Sequence, residues 1–129
     1  MEGNALQGLT IEQIDQWKKE AHERHVNSQA QKIYKKVQYM IDWQGDIVKS
    51  ICLTANEFPM VYPENIKILQ KNGFTVYKVV MRIKSEKQVV VEHHIVWGED
   101  DFEKTYSKQF YGKDGRELDD YKLLEFRKL

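Results

Sequence analysis

Two pairs of histidines are the side chains in this sequence best suited to chemistry. His93 and His94 are adjacent within VVVEHHIVWG, residues 89–98, and His22 and His25 lie three positions apart in an earlier segment. Imidazole exchanges protons near neutral pH and is the commonest protein ligand of metal ions. These four residues therefore raise the question of whether the chain holds a metal ion or a proton-transfer centre.

The structure expected around His93 and His94 argues against a site that both share. Residues 89–98 predict a β-strand, in which neighbouring side chains point to opposite faces. Only one of the two could then join His22 and His25, which a helix would place on one side. The sequence has neither the HExxH pattern nor the clustered cysteines of common zinc sites. We therefore expect no metal site.

The strand pattern instead gives His93 and His94 different structural surroundings. His93 shares its face with Ile95 and Trp97, and we expect it to be partly buried among apolar side chains. His94 shares the more polar face with Glu92. His22 and His25 are expected on a solvated helix surface.

Other familiar catalytic patterns are absent. Cys52 is the only cysteine, and it lies in an apolar run that favours a small buried side chain. The sequence has no phosphate-binding P-loop, no glycine-rich dinucleotide fingerprint and no serine nucleophile elbow. The acids at 99–101 are explained by the start of a helix. We predict no catalytic, cofactor-binding or metal-binding residues, no cofactor, and a protein that is not an enzyme.

Length, charge and hydropathy exclude several kinds of partner. The 129 residues fit one globular domain, and 20 basic residues balance 20 acidic ones. Because nucleic-acid affinity depends on neutralising phosphates, a nucleic-acid partner is not expected. Six basic residues on the first helical stretch keep a nucleic-acid-associated factor as an alternative: Lys18, Lys19, Arg24, Lys32, Lys35 and Lys36. No apolar run approaches the ~20 residues that span a bilayer, so no membrane partner is expected.

Residues 1–45 predict a long N-terminal helix. Thr10 with Gln13 forms a capping box, and Gly45 is a natural stop. Two apolar stripes follow in different registers, so either one long helix changes partner or two helices meet near residues 26–28; we favour one helix. The second stripe is expected to pack on the sheet or a neighbouring helix: Val26, Ala30, Ile33, Val37 and Met40.

Residues 46–98 predict a compact β-α-β-β core. A β-branched run at 46–54 is followed by a short helix from Pro63 to the cap at Gly73, and then by a hairpin of strands at 74–83 and 88–97. A strand–helix–strand unit makes its two strands parallel. We therefore predict a small mixed sheet of about three strands, with helices on one face.

Residues 99–129 predict a C-terminal extension to the same single domain. Phe102, Tyr106 and Phe110 recur every four residues, which indicates a one-sided aromatic helix. The residues from 113 to 129 fit either a last helix or a strand. Together the three regions predict an α+β fold for residues 1–129.

Residues 26–98 resemble small proteins encoded by bacteriophages and other large DNA viruses. Those proteins have a long polar helix, a strand, a helix ending before a Gly-Phe pair, and a hairpin whose second strand ends in Trp. The residues that carry the resemblance are Ile66, Leu69, Gly73, Phe74, Val76, Ile95 and Trp97. The resemblance implies an accessory or virion protein with no catalytic residue.

We therefore expect a non-enzymatic viral protein that acts by protein–protein interaction, as a minor virion or assembly component. The partner would be a second copy, a larger viral assembly or a host factor. The lone cysteine and a start that lacks a signal peptide predict the virion or the reducing host cytoplasm. The candidate interface residues are Ile11, Ile14, Trp17, Ala21, Phe102, Tyr106 and Phe110.

Three further alternatives stay open beside this expectation and the nucleic-acid-associated factor. The protein could be a host-directed inhibitor, or it could sequester a small ligand, whose identity is unknown. It could also be a small metal-dependent enzyme that uses the histidines.

Overall fold

A computed structural model describes residues 4–98, 101–107 and 120–129. It confirms an α+β fold. In chain order the elements are α1 (Ile11–Gln44), β1 (Ser50–Leu53), α2 (Pro63–Lys71), β2 (Thr75–Ile83), β3 (Gln88–Val96), α3 (Phe102–Ser107) and β4 (Tyr121–Lys128), with short 3-10 turns at Ala5–Gly8 and Gly45–Ile47.

The first helix, α1, is one continuous helix of 34 residues, about 51 Å long at 1.5 Å per residue. The Thr10 hydroxyl accepts a hydrogen bond from the Gln13 backbone N–H at 3.1 Å, which confirms the predicted cap. Gly45 follows at φ 65°, a left-handed conformation that favours glycine. The favoured single helix is therefore correct.

The sheet has four strands in the order β1-β3-β2-β4, and every neighbouring pair is antiparallel. This corrects the expectation of a mixed sheet of about three strands. β1 and β2 run in the same direction, as predicted, but β3 lies between them, so they do not pair. The neighbour of β1 is therefore the hairpin strand β3, where β2 was expected. Residues 121–128, for which a helix or a strand was possible, form the fourth strand.

Helices pack on both faces of the sheet, and Val89 and Val91 at the start of β3 stay exposed on the first face. The first face is covered by α1 and α2, and its apolar cluster is Ile33, Ile51, Leu53, Phe58, Val61 and Ile95, joined by Val37, Met40, Ile66, Leu69, Phe74 and Trp97. The second face is covered by α3, and its cluster is Tyr77, Val79, Met81, Val96, Phe102 and Tyr106, joined by Val90, Leu123 and Phe126. Helices on one face only were expected, and α3 is the exception.

The predicted apolar stripe of α1 packs as expected in its second half. Ile33 is buried in the first-face cluster, and Val37 and Met40 pack against that cluster. The polar Gln29 is also buried on this side of the helix. An apolar pattern could not reveal Gln29, because its burial depends on hydrogen bonds that α2 and the preceding loop supply.

Candidate functional site

The predicted interface residues at the start of α1 are accessible to different degrees. Ile11 is 74% exposed and Trp17 is 52% exposed. Ile14 and Ala21 are partly covered. Two large apolar side chains on this part of α1 are therefore available to a partner.

The predicted interface residues in the C-terminal region are placed differently. Phe102 and Tyr106 are 6% and 9% exposed, and their rings pack on Tyr77, His94 and Phe126 of the second face. They belong to the chain's own core and are not available to a partner, which corrects the prediction for these two residues. Phe110 lies outside the described residues.

The helix histidines do not meet a strand histidine. His22 Nε2 lies 2.8 Å from Glu64 Oε2 at the start of α2, and its ring contacts Tyr62 edge-on. His25 is exposed on α1. The imagined site of His22, His25 and one strand histidine is therefore not formed.

The strand histidines point to opposite faces, as the sequence predicts. His93 is on the first face, where burial and then the charge of Lys78 hold its pKa below the usual value. His94 is on the second face with Glu92 and is 6% exposed. His93 is half-buried, as expected, and His94 is more deeply buried because α3 covers the second face.

His94 meets Cys52 and Glu92 through the register of the sheet. Cys52 on β1 is the direct cross-strand partner of His94 on β3. Glu92 lies two residues before His94 and therefore on the same face. The three ligand atoms, Sγ, Oε and an imidazole nitrogen, lie within 4.8 Å of one another. We call Cys52, Glu92 and His94 the second-face cluster.

One carboxylate oxygen is the centre of the second-face cluster. The Cys52 thiol donates to Glu92 Oε2 at 3.3 Å, and His94 Nε2 lies 3.3 Å from the same atom. The Tyr106 hydroxyl donates to it at 3.4 Å. Charge-assisted N–H···O and O–H···O hydrogen bonds are usually about 2.5–2.9 Å long. The contacts from His94 and Tyr106 are therefore longer than strong hydrogen bonds.

The electrostatics of the cluster keep the thiol protonated. Burial, and then the charge of Glu92, raise the pKa of Cys52 to about 12. The hydrogen bond from His94 lowers the pKa of Glu92 below its usual value, although burial opposes this. Burial also raises the pKa of Tyr106. At neutral pH the cluster is a carboxylate beside a protonated thiol and a protonated phenol.

This arrangement does not favour a cysteine nucleophile. An activated thiol needs a base or a positive charge beside it, which lowers its pKa. Here a carboxylate is the hydrogen-bond partner of Cys52, and it opposes ionisation of the thiol. Thiolate, carboxylate and imidazole are, however, the ligand types of zinc sites. Metal binding is therefore the chemistry that these three residues can perform.

A cavity of about 500 Å³ opens beside the cluster. Its lining includes Lys36, Cys52, Thr54, His94 and Tyr106. The Lys36 ammonium donates to the Cys52 carbonyl at 2.6 Å and to Glu57 Oε1 at 3.0 Å. A small molecule or water in this cavity could therefore reach the cluster.

Sequence reasoning placed Glu92 and His94 together and missed Cys52. The alternation along β3 was sufficient for the first pair. The pairing of β1 with β3 joins segments that are distant in sequence, and no local pattern specifies it. The cysteine could have been found only by considering β3 as the neighbour of β1.

Comparison with known proteins adds no relative: no family model, curated protein or solved structure matches the chain. Among the described residues, no helix is long and apolar enough to cross a membrane.

Proposed function

We propose that the protein acts without catalysis, by binding another protein chain through residues 11–21 of α1. The viral role, as a minor virion or assembly component in the virion or host cytoplasm, is supported by the resemblance of residues 26–98 alone. The partner would be a second copy of the chain or a subunit of a larger assembly. The exposure of Ile11 and Trp17 on one helix is the observation that carries the proposal.

The helix α1 is longer than the part of it that packs against the rest of the chain. Its contacts with α2 and the first face run from His22 to Met40. The buried residues of the helix are Gln29 and Ile33, both in the middle. Because helices in proteins are stabilised mainly by packing of one face, residues 11–21 gain little from the chain's own core.

Apolar side chains are also exposed at the other end of α1. Trp43 is 75% exposed. A groove of about 490 Å³ lies between α1 and α2 and is lined mainly by apolar side chains, among them Val37, Ile41 and Ile68. Contiguous exposed apolar surface of this kind marks interaction sites in soluble proteins. This apolar surface is separate from residues 11–21 and is not part of the proposed interface.

Burial of the exposed side chains would supply a useful part of a binding free energy. Each large apolar side chain that is fully buried contributes about 1.5–3 kcal/mol. Trp is also enriched among the few residues that dominate protein interfaces. Trp17 is therefore the residue whose loss we expect to weaken association most.

The test replaces Ile14 and Trp17 together by Ala. Sedimentation velocity of the wild-type chain over a range of concentrations should show association, and the double variant should be a monomer with an unchanged circular dichroism spectrum. Trp43→Ala is the matched control, because it removes an exposed Trp from the same helix outside the proposed segment. It should leave the association unchanged.

Two results would contradict the proposal. The double variant could keep the wild-type mass and lose only thermal stability, which would mean that residues 11–21 pack on their own domain. The wild-type chain could also stay monomeric alone, and a photo-crosslinker at position 17 could form no discrete adduct in virus-infected cells. Residues 11–21 would then have no partner.

A further inference from the structure

We propose that Cys52, Glu92 and His94 bind one zinc ion on the second face of the sheet, with a fourth coordination position open to the neighbouring cavity. The ligands are Cys52 Sγ, a Glu92 carboxylate oxygen and His94 Nε2. The proposal is independent of the interface on α1, which lies on other residues.

The spacing of the three ligand atoms fits tetrahedral coordination. Bond lengths of about 2.3 Å to sulfur and about 2.0–2.1 Å to nitrogen and oxygen separate neighbouring ligand atoms by about 3.3–3.6 Å around zinc. Cys52 Sγ and His94 Nε2 each lie 3.3 Å from Glu92 Oε2. All three atoms lie within 4.8 Å of one another, so small side-chain movements would complete the site.

The backbone holds the three ligands in place before any ion binds. His94 is paired on both sides within the sheet, with Cys52 held opposite it on β1. Glu92 lies on the same strand, β3, and is paired with β2. The Phe102 and Tyr106 rings lie against the His94 ring at centroid distances of 5.5 and 4.5 Å. Little conformational freedom is therefore lost when the ion binds.

The charges of the ligands balance the charge of the ion. When the Zn–S bond forms, the Cys52 thiol releases its proton to solvent and becomes a thiolate. Glu92 is the second negative ligand, and His94 binds as neutral imidazole through a nitrogen lone pair. Two negative charges then neutralise Zn²⁺ in a half-buried place, where an uncompensated charge would be costly.

The ligand types select the class of metal. A thiolate with imidazole favours zinc and similar borderline metals over Mg²⁺ or Ca²⁺, which prefer oxygen ligands. Among residues 4–98, 101–107 and 120–129, no other three His, Cys, Asp or Glu side chains come this close together. The site is therefore specific to this part of the described chain.

The fourth position would face the cavity that Lys36, Thr54 and Tyr106 help to line. A water molecule or an anionic group from solution could bind there. Zinc sites with three protein ligands and one open position are the kind that bind exchangeable ligands.

The first experiment measures zinc on the full chain without a histidine tag. The protein is stripped with a chelator, incubated with equimolar zinc and separated by gel filtration, and the bound zinc is determined by elemental analysis. We expect one zinc per wild-type chain. Cys52→Ser and His94→Gln should each weaken binding more than about 100-fold, since even loss of residues that only support metal ligands costs 10–100-fold.

His93→Gln is the matched control. It changes the neighbouring histidine of the same strand, on the opposite face, and should keep the full zinc content. If the wild-type chain binds no zinc, or if His93→Gln loses zinc as His94→Gln does, the proposal is wrong. Unchanged binding in Cys52→Ser and His94→Gln would overturn it equally.

A second measurement needs no variant, and it keeps the proposal testable if a substitution prevents folding. Co²⁺ replaces zinc in tetrahedral sites and gives a sulfur-to-cobalt charge-transfer absorption band when a thiolate binds it. Because Cys52 is the only cysteine in the sequence, such a band can come only from Cys52. Bound cobalt without this band would contradict the proposed ligand set.

Discussion

Each side of the sheet buries a group of polar side chains, and the two groups are organised in opposite ways. On the first-face side, Gln29 of α1 and Asn65 of α2 form an amide pair between the two helices. The Gln29 amide donates to the Met60 carbonyl and accepts from the Tyr62 backbone N–H at 3.0 Å. Asn65 Nδ2 lies 3.1 Å from both the Val26 carbonyl and Gln29 Oε1.

The amide pair forms hydrogen bonds mainly with backbone groups. In the second-face cluster, by contrast, the side chains all contact one carboxylate oxygen. Cys52, His94 and Tyr106 all contact Glu92 Oε2, at distances of 3.3–3.4 Å. Side chains that satisfy backbone groups at normal distances fix a structure. The second-face cluster, by contrast, places side chains of the metal-ligand type around one carboxylate beside a cavity. Such an arrangement is suited to binding a metal ion. Burial of polar groups alone therefore does not distinguish a structural group from a binding site.

The largest effect is expected from Gln29→Leu. This change has a similar volume but removes the partners of Met60, Tyr62 and Asn65 at once. A buried polar group left without a partner costs about 1–3 kcal/mol, so we expect a loss of about 2–4 kcal/mol in the free energy of unfolding. Urea denaturation monitored by circular dichroism measures it.

The control for this change is Gln38→Leu, at an exposed position of the same helix. It should alter stability by less than about 0.5 kcal/mol. Equal stability of the two variants would show that the amide pair does not hold α1 to α2, and the contrast with the second-face cluster would disappear.

A smaller effect is expected from Glu92→Gln in the presence of a chelator. The substitution keeps the shape and removes the charge that accepts from Cys52 and Tyr106. Because the contacts from His94 and Tyr106 are long, we expect the metal-free chain to lose only about 1 kcal/mol, less than the roughly 1.5–3 kcal/mol usual for hydrogen bonds to charged groups. Urea denaturation with and without zinc measures the change.

Zinc should separate this variant from the wild type. At a zinc concentration 100 times its Kd, a ligand that binds only the folded state stabilises it by about 2.7 kcal/mol. The wild-type chain should gain this and Glu92→Gln should not, whereas Glu86→Gln, in the exposed hairpin turn, should behave as the wild type. A metal-free loss as large as that of Gln29→Leu would instead make the second-face cluster a structural group.

The sequence predicted local structure well, because local signals specify it. The cap at Thr10, the start of α2 at Pro63 and the alternation along the hairpin strands were all sufficient to place their elements. The same alternation correctly separated His93 from His94. These features depend on residues within a few positions of one another.

The order of the strands and the identity of the candidate site were not predictable in the same way. The expected parallel neighbour of β1 was β2, but β3 pairs with β1 and brings His94 to Cys52. The aromatic repeat at Phe102 and Tyr106 correctly indicated a helix, but not that this helix covers the second face. Both outcomes depend on contacts between segments that are distant in sequence. An apolar pattern does not specify which of those segments pair or in which register.

The smallest effect is expected at Lys36. This residue lies where α1 meets the edge strand β1, and it lines the cavity beside the second-face cluster. Its ammonium donates to the Cys52 carbonyl and to Glu57, and the hydrogen bond from Lys36 holds the pKa of Glu57 below its ordinary value of 4.5. Exposed ion pairs contribute about 0–1 kcal/mol, so Lys36→Met should cost no more than about 1 kcal/mol at pH 7.

A carboxyl whose pKa is lowered by folding stabilises the fold above its ordinary pKa, and this contribution is lost as the pH falls through the lowered value. The difference between wild type and Lys36→Met in urea denaturation should therefore shrink below pH 4.5 but not vanish, because the bond to the Cys52 carbonyl does not titrate there. Lys35→Met, at an exposed neighbouring position, should match the wild type at both pH values. If Lys36→Met behaves as Lys35→Met does, Lys36 does not join α1 to the strand that supplies Cys52, and the position of that cysteine depends on the β1–β3 pairing alone.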